Sequence, residues 1–365
     1  MTVFDRLRAA CATVVGQAKH VRLEHTRIRP FALSLPLAGA GAPEFDARHH
    51  FVGDPEATAA YVLMLDTVNF GSGYFPKLQK RAGLSGYYTV ASSLKDLFEA
   101  RGAPEAAELG EMTAEDCARI FGQDLGDEAR SELMGLFAQA LRELGTYLQS
   151  DFGGSPARLA LAAEGSAERL VALLCEMPMF RDVAAYQGLE LPFLKRAQIT
   201  VTDLSLAFNG GSTRTSTASR PGLTRSAGHL VTLDSSGGSV TLPCSTRTSG
   251  GPVALPCGLG YFRDLDKLTV FADNLVPHVL RVDGLLHYDE ALAGRIEAGE
   301  LVEPGSSEEI EIRAAAVHAV ELMTVVLKST GHQVSARDLD YLLWNRGQGE
   351  IYKQRPRHRT RTVCY

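Results

Sequence analysis

The sequence predicts a mainly α-helical protein, and two observations carry the prediction. Long stretches place apolar residues at helical rather than alternating spacing. Three such stretches follow a hydroxyl residue with an acid three positions on: Thr113 with Asp116, Ser306 with Glu309, and Ser335 with Asp338. Pairs of this kind satisfy the free amide hydrogens at a helix start. Residues 209–258 depart from the pattern.

Taken in chain order, the first clear helix is PEATAAYVLMLDTVNF (55–70), which opens on Pro55 and is stopped by Gly71 and Gly73. The capping pairs start helices near 114, 307 and 336. GDEARSELMGLFAQALRELGTYLQ (126–149) and EEIEIRAAAVHAVELMTVVLKS (308–329) are long enough to be central packing helices. LPFLKRAQITVTDLSLAF (191–208) reads as a helix with Leu194, Ala197, Val201 and Leu204 on one side. Its other side carries Lys195, Gln198 and Thr202, with Asp203 at the edge. From 209 to 258 the chain turns rich in Gly, Ser, Thr and Pro, with too little apolar surface to offset chain entropy. An insertion is expected there, a flexible loop more readily than an ordered subdomain. GHLVTLDSSGGSVTLPC within it alternates about a Gly-Gly turn, as a small β-hairpin would. The last stretch, NRGQGEIYKQRPRHRTRTVCY, carries six Arg or Lys against one Glu, and its apolar TVCY is expected to dock on the body.

Composition narrows the function. With 365 residues, 45% of them hydrophobic, the chain can bury a large core. A formal charge of -6 argues against a general duplex-binding protein, although one cationic pocket suffices for a small anion. No stretch approaches the roughly 18 uncharged apolar residues of a membrane span, and MTVFDRLRAACATVV lacks the order of a signal peptide. A cytoplasmic monomer is expected. The six cysteines are scattered without CxxC or a His at ligand spacing, so reduced thiols are expected, with no metal site and no disulfide framework. P-loop, GxGxxG, HExxH and GxSxG motifs are all missing from the sequence.

Three constellations could carry chemistry. Asp66, Asn69 and Phe70 stand at i, i+3 and i+4. They form either a cradle in which a flat heterocycle stacks and is read by polar groups, or a helix end whose polar residues cap backbone; spacing alone favours the second. Lys195, near a helix start, suits a phosphate, but the polar stripe it shares with Gln198 and Thr202 is a solvent face or a wet cleft, and the usual exposure of lysines favours solvent. In KLTVFADNLVPHVL (267–280), Asp273 and Asn274 interrupt an apolar run. Asn274 with Pro277 fits the start of a helix through VPHVLRV, making Asp273 a cap; the alternative is a carboxylate aimed at a developing cation or a water. Tyr87 and Tyr88 of SGYYT follow a turn, placed to stack on a ligand or to pack. His318 with Glu321 and the single tryptophan, Trp344, read as core.

Several of these stretches together resemble the queuosine salvage proteins, the queuosine 5'-phosphate N-glycosylase/hydrolases. They are LDTVNF (65–70), SGYYT (85–89), FRDVAAYQG (180–188) into FLKRAQITVTD (193–203), LTVFADNLVPHVLRVDGLLHY (268–288), EEIEIRAAAVHAVELM (308–323), LDYLLWN (339–345) and HRTRTVCY (358–365). The insertion has no counterpart in that pattern, and the first 55 residues match loosely. The resemblance implies a single helical domain over 1–365, likened to DNA glycosylases and interrupted by 209–258. It also implies hydrolysis, without metal or cofactor, of the N-glycosidic bond of queuosine 5'-monophosphate, freeing queuine for transfer-RNA modification. On that footing Asp273 is the catalytic residue, Lys195 a phosphate or ribose contact, and Asp66, Asn69 and Phe70 the neighbourhood of the base, with Tyr88, Asp203 and Asn274 as further substrate contacts. The expected partner is a small nucleotide, with neither duplex nucleic acid nor membrane. A non-catalytic carrier of queuine or its nucleotide and, less favoured, a nucleic-acid glycosylase are the alternatives.

Overall fold

The computed structural model describes residues 1–37, 45–209 and 258–365. It is built of α-helices joined by short turns, with two small antiparallel strand pairs: Val21–Leu23 with Leu286–Tyr288, and Val183–Tyr186 with Leu189–Pro192. The second pair is a hairpin that the sequence reading took partly for helix. The hairpin expected within 209–258 lies outside the described residues, apart from the two end positions of that segment. No helix among the described residues is long and apolar enough to cross a membrane.

The helices gather into two apolar clusters. One is centred on helix Pro55–Thr67, buried from Thr58 through Thr67 because apolar residues surround it on every side, and is completed by Gly86–Arg101 and Glu128–Phe152. The other gathers helix Val3–Gln17 and helices Leu275–Val282 and Ala336–Arg346 around Ser307–Ser329. Helix Lys195–Asn209 gives its apolar side, Ala197, Val201 and Leu204, to the first cluster.

The expected helix starts are observed at Ala114, Ser307 and Ala336. Thr113 and Ser335 form full capping boxes, whereas Ser306 forms half of one. Its Glu309 is buried and turns to Arg313, 3.5 Å away. Two boundaries differ from expectation. Helix Pro55–Thr67 ends before Asn69 and Phe70, and Arg196 closes that end by donating to the Thr67 carbonyl. The helix expected over 191–208 begins at Lys195, because Leu189–Pro192 pairs as a strand and Leu194 turns the chain at φ 48°.

The tail docks as expected. The Gly71 amide donates to the Tyr365 carbonyl at 3.0 Å, the Val302 amide donates to the Arg359 carbonyl at 2.8 Å, and Tyr365 is buried. Gly73 is needed for this closeness, since a Cβ there would stand 2.3 Å from the Thr360 carbonyl oxygen.

Candidate active site

Between the two clusters lies a cavity of about 950 Å³. Phe70 and Phe271 from the first cluster and Leu275, Val276 and Tyr352 from the second form part of its wall. Lys195, Thr202 and Asp203 line it from one helix, Asp340 and Trp344 from another, and Asp273 and Asn274 from the turn that opens Leu275–Val282. The tail supplies Arg355, Arg357 and Arg359, and Arg48 and Lys80 add further positive charge.

The segment bearing Asp273 is pinned from three sides. Gln198 accepts from the Thr269 amide at 2.9 Å, Asp340 from the Phe271 amide at 2.9 Å, and Arg313 donates to the Ala272 carbonyl at 3.0 Å. The Asp273 Oδ1 accepts from the amides of Leu275 (2.7 Å) and Val276 (3.4 Å), which are uncommitted at a helix start. Its Oδ2 has no hydrogen-bond partner among the described residues. The capping role and the free carboxylate oxygen thus belong to one side chain. Asn274 does not cap; its Nδ2 donates to Ser72 Oγ at 3.0 Å and ties the 71–75 turn to the helix start.

Lys195 is 6% exposed, so the polar stripe is a cleft wall and not the solvent face that spacing favoured. Burial lowers its pKa from the ordinary lysine value, and the charge that most opposes this is Asp273. Gln198 does not join the cavity; its amide is used on Phe193 and Thr269. Asp203 is pushed up to about 7 by burial, with Lys195 pulling it back. Asp340 is pushed up to about 8 by burial; its bond from the Phe271 amide lowers it, and the neighbouring Asp273 charge adds to the rise.

Asp66 lies behind the wall, fully buried, accepting from Asn69 Nδ2 at 3.3 Å. Burial and the Asp203 charge hold it well above the usual carboxylate range. Asn69 and Phe70 do reach the cavity, but past the helix end and not on its face. The Phe70 ring is already engaged, with Arg196 4.8 Å over it and Phe137 edge-on at 5.1 Å. Tyr87 and Tyr88 sit in the first turn of Gly86–Arg101, which Ser85 caps, and both line the cavity. Tyr87 shares a 2.9 Å hydrogen bond with His50. The Tyr88 ring stands 4.5 Å from that of His49 and 6.2 Å, edge-on, from Trp344.

Trp344 therefore lines the cavity as well as packing, partly buried, against the second cluster. Together with Asp340 and the tail arginines, it is what the sequence reading missed. A signal existed for the first two: Asp340 and Trp344 stand four apart in helix Ala336–Arg346, and so share a face. His318 and Glu321 are structural, as expected: Glu321 pairs with Arg8 at 2.9 Å, and His318 is half-buried against His25.

A roomy, charged cavity in which Asp203, Asp273 and Asp340 share the wall with Lys195 and several arginines has the chemistry to suit a polar, anionic small molecule. The chain matches the family model of the queuosine salvage protein over residues 49–217 and 254–365, and it belongs to that family. The interruption between 217 and 254 falls inside the insertion read from composition. A queuosine 5'-phosphate N-glycosylase/hydrolase of Sphaerobacter thermophilus is 35% identical over 369 residues, covering 99% of this chain and 98% of that one. Proteins of the same description from Dictyostelium discoideum and Mus musculus are 31% and 26% identical, covering 85% and 98% of this chain and 79% and 98% of their own lengths.

Proposed function

We propose that the protein hydrolyses the N-glycosidic bond of queuosine 5'-phosphate, releasing queuine and ribose 5-phosphate. The observation that carries the mechanism is the Asp273 carboxylate, one oxygen fixed by backbone amides and the other left free at the wall of the cavity. Breaking the bond from C1' to the base leaves an oxocarbenium-like ribose, and an anion beneath that ring stabilises it and orients the attacking water. The water's hydroxyl ends on C1', and its proton balances the electron pair that departs with the base.

A 7-deazaguanine lacks the N7 atom through which purines are commonly assisted, so help must reach the base at its other edges. Asp340 and Asp203 suit this task, because burial raises both and lets either hold a proton near neutral pH. In this reading Tyr88 and Trp344 flank the base, Asn69 and Asn274 shape its surroundings, and Lys195 meets ribose or phosphate. Arg357 and Arg359 receive the 5'-phosphate in the fork geometry that guanidinium groups offer.

Incubating the purified protein with queuosine 5'-phosphate and following free queuine by chromatography tests the proposal. Release of base with matching ribose 5-phosphate is expected. Measurable binding with no queuine over hours would mark the protein as a carrier instead.

A further inference from the structure

Arg313 belongs to none of the walls just described, yet it reaches two of them. It lies on helix Ser307–Ser329, is 2% exposed, and donates through Nε to the Ala272 carbonyl, next to Asp273. Its other two nitrogens grip Asp182 in a fork, at 2.9 and 2.6 Å. Asp182 in turn accepts from the Lys195 amide at 3.1 Å through its side chain and from the Leu194 amide at 3.0 Å through its carbonyl. Leu194 is the residue held at φ 48°, a conformation that needs such support. The guanidinium is sandwiched against Phe193, 3.9 Å from the ring centre, and Tyr365, at 4.7 Å. The Tyr365 carbonyl accepts from the Gly71 amide, next to Phe70.

We propose that Arg313, with Asp182, is a positioning pair that sets the distance between the Asp273 carboxylate and the Lys195 side chain. This rests on the functional reading above, in which those two groups work on one nucleotide. The physical case is geometric. A buried ion pair is weak evidence for stability, because desolvation offsets most of its attraction. This one links the backbone beside two cavity-lining residues: Arg313 donates to the Ala272 carbonyl next to Asp273, and its partner Asp182 accepts from the Lys195 amide. A planar guanidinium grips the carboxylate with two nitrogens while a third donates to the carbonyl, a fixed geometry that the single nitrogen of a lysine does not reproduce.

The test uses the full chain carrying Arg313→Met, Asp182→Leu and Glu309→Gln together, so that no buried charge is orphaned, with Arg313→Lys as a separate variant. For the triple variant we expect a melting temperature near that of the parent, a kcat about a hundredfold lower, and a KM for queuosine 5'-phosphate within about threefold. Arg313→Lys should lose about tenfold in kcat at similar KM. Hydrogen exchange should quicken by about tenfold at the amides of 193–195 and 272–275 while Glu128–Phe152 stays protected. A folded triple variant with kcat within about threefold of the parent overturns the proposal. If the triple variant fails to fold, the same threshold applied to Arg313→Lys decides. If the unaltered protein releases no queuine, the functional reading falls, and unchanged exchange at those two segments still refutes the positioning pair on its own.

Discussion

Replacing Asp273 by Asn separates the two tasks of that side chain. Asn keeps Oδ1 as an acceptor for the Leu275 and Val276 amides, so the start of helix Leu275–Val282 stays capped. What disappears is the negative charge on the free side of the group. At about 4 Å and an effective dielectric of about 20, attraction between a carboxylate and a unit positive charge is about 4 kcal/mol, or about a thousandfold in rate if realised only in the transition state. Charge on the oxocarbenium is partial, so a loss of at least about a hundredfold in turnover is expected, with ligand affinity and melting temperature nearly unchanged.

Asp273→Ala provides the control. It removes charge and cap together, so it should lose comparable turnover and also about 1 kcal/mol of stability. That corresponds to a melting shift of about 2 °C in a chain of this size. A second signature follows from Lys195. Asp273 is the main charge offsetting the burial of that lysine, so the alkaline limb of the rate profile should move to lower pH in Asp273→Asn. Release of queuine from queuosine 5'-phosphate, followed by chromatography across pH, reads all of these. Near-normal turnover in Asp273→Asn would refute the assignment.

Asp340, raised to about 8, keeps a proton in the folded state that the unfolded chain gives up near pH 4. Its contribution to stability therefore falls as pH rises between those values, and Asp340→Asn should gain melting temperature over the parent steadily from about pH 5 to about pH 8; a constant difference would contradict the shift. Arg357→Ala should raise KM for the 5'-phosphate far more than for the bare nucleoside, and Lys195→Ala should show the same preference with a loss in kcat as well. Equal penalties on both substrates would move the phosphate elsewhere. Gly73→Ala, which forces a methyl group against the Thr360 carbonyl, should lower the melting temperature and raise KM together, because the displaced tail carries Arg357 and Arg359; a drop in stability alone would separate the tail from the site.

Much of the fold was legible because helix starts are written locally. Thr113 with Asp116 and Ser335 with Asp338 need only their own turn, and both appear as expected. Glu309 shows where locality ends, since a buried arginine four residues on claims the carboxylate that would have completed the Ser306 box. The candidate site was legible where polar residues interrupt an apolar run, at Asp273. It was not legible where burial decides. Spacing cannot say that Asp66 is walled in while Asn69 is open, nor that the stripe of Lys195 and Thr202 faces a cavity, because both depend on which remote segments cover them. The tail arginines were visible as a basic run, but their place in the cavity follows from contacts of Tyr365 with Gly71 and Arg359 with Val302, which no local pattern encodes.

The opposition between cap and catalyst, which sequence alone leaves open at Asp273, dissolves in the structure for a reason that extends to Asp340. Each carboxylate commits one oxygen to a backbone amide, Asp273 to Leu275 and Asp340 to Phe271, at 2.7 and 2.9 Å, and has no hydrogen-bond partner for the other among the described residues. A carboxylate held this way cannot swing to follow solvent, so the orientation of its second oxygen is set before substrate arrives, which is the condition under which a fixed charge lowers a barrier. Asp203 has no such anchor among the described residues, and what opposes its burial is the charge of Lys195. An unanchored acid adapts to the edge of a base better than it fixes a charge at C1'. The division of labour proposed here, Asp273 at the sugar with Asp340 and Asp203 toward the base, therefore combines the fixed orientation of Asp273 with the burial that lets Asp340 and Asp203 hold a proton near neutral pH.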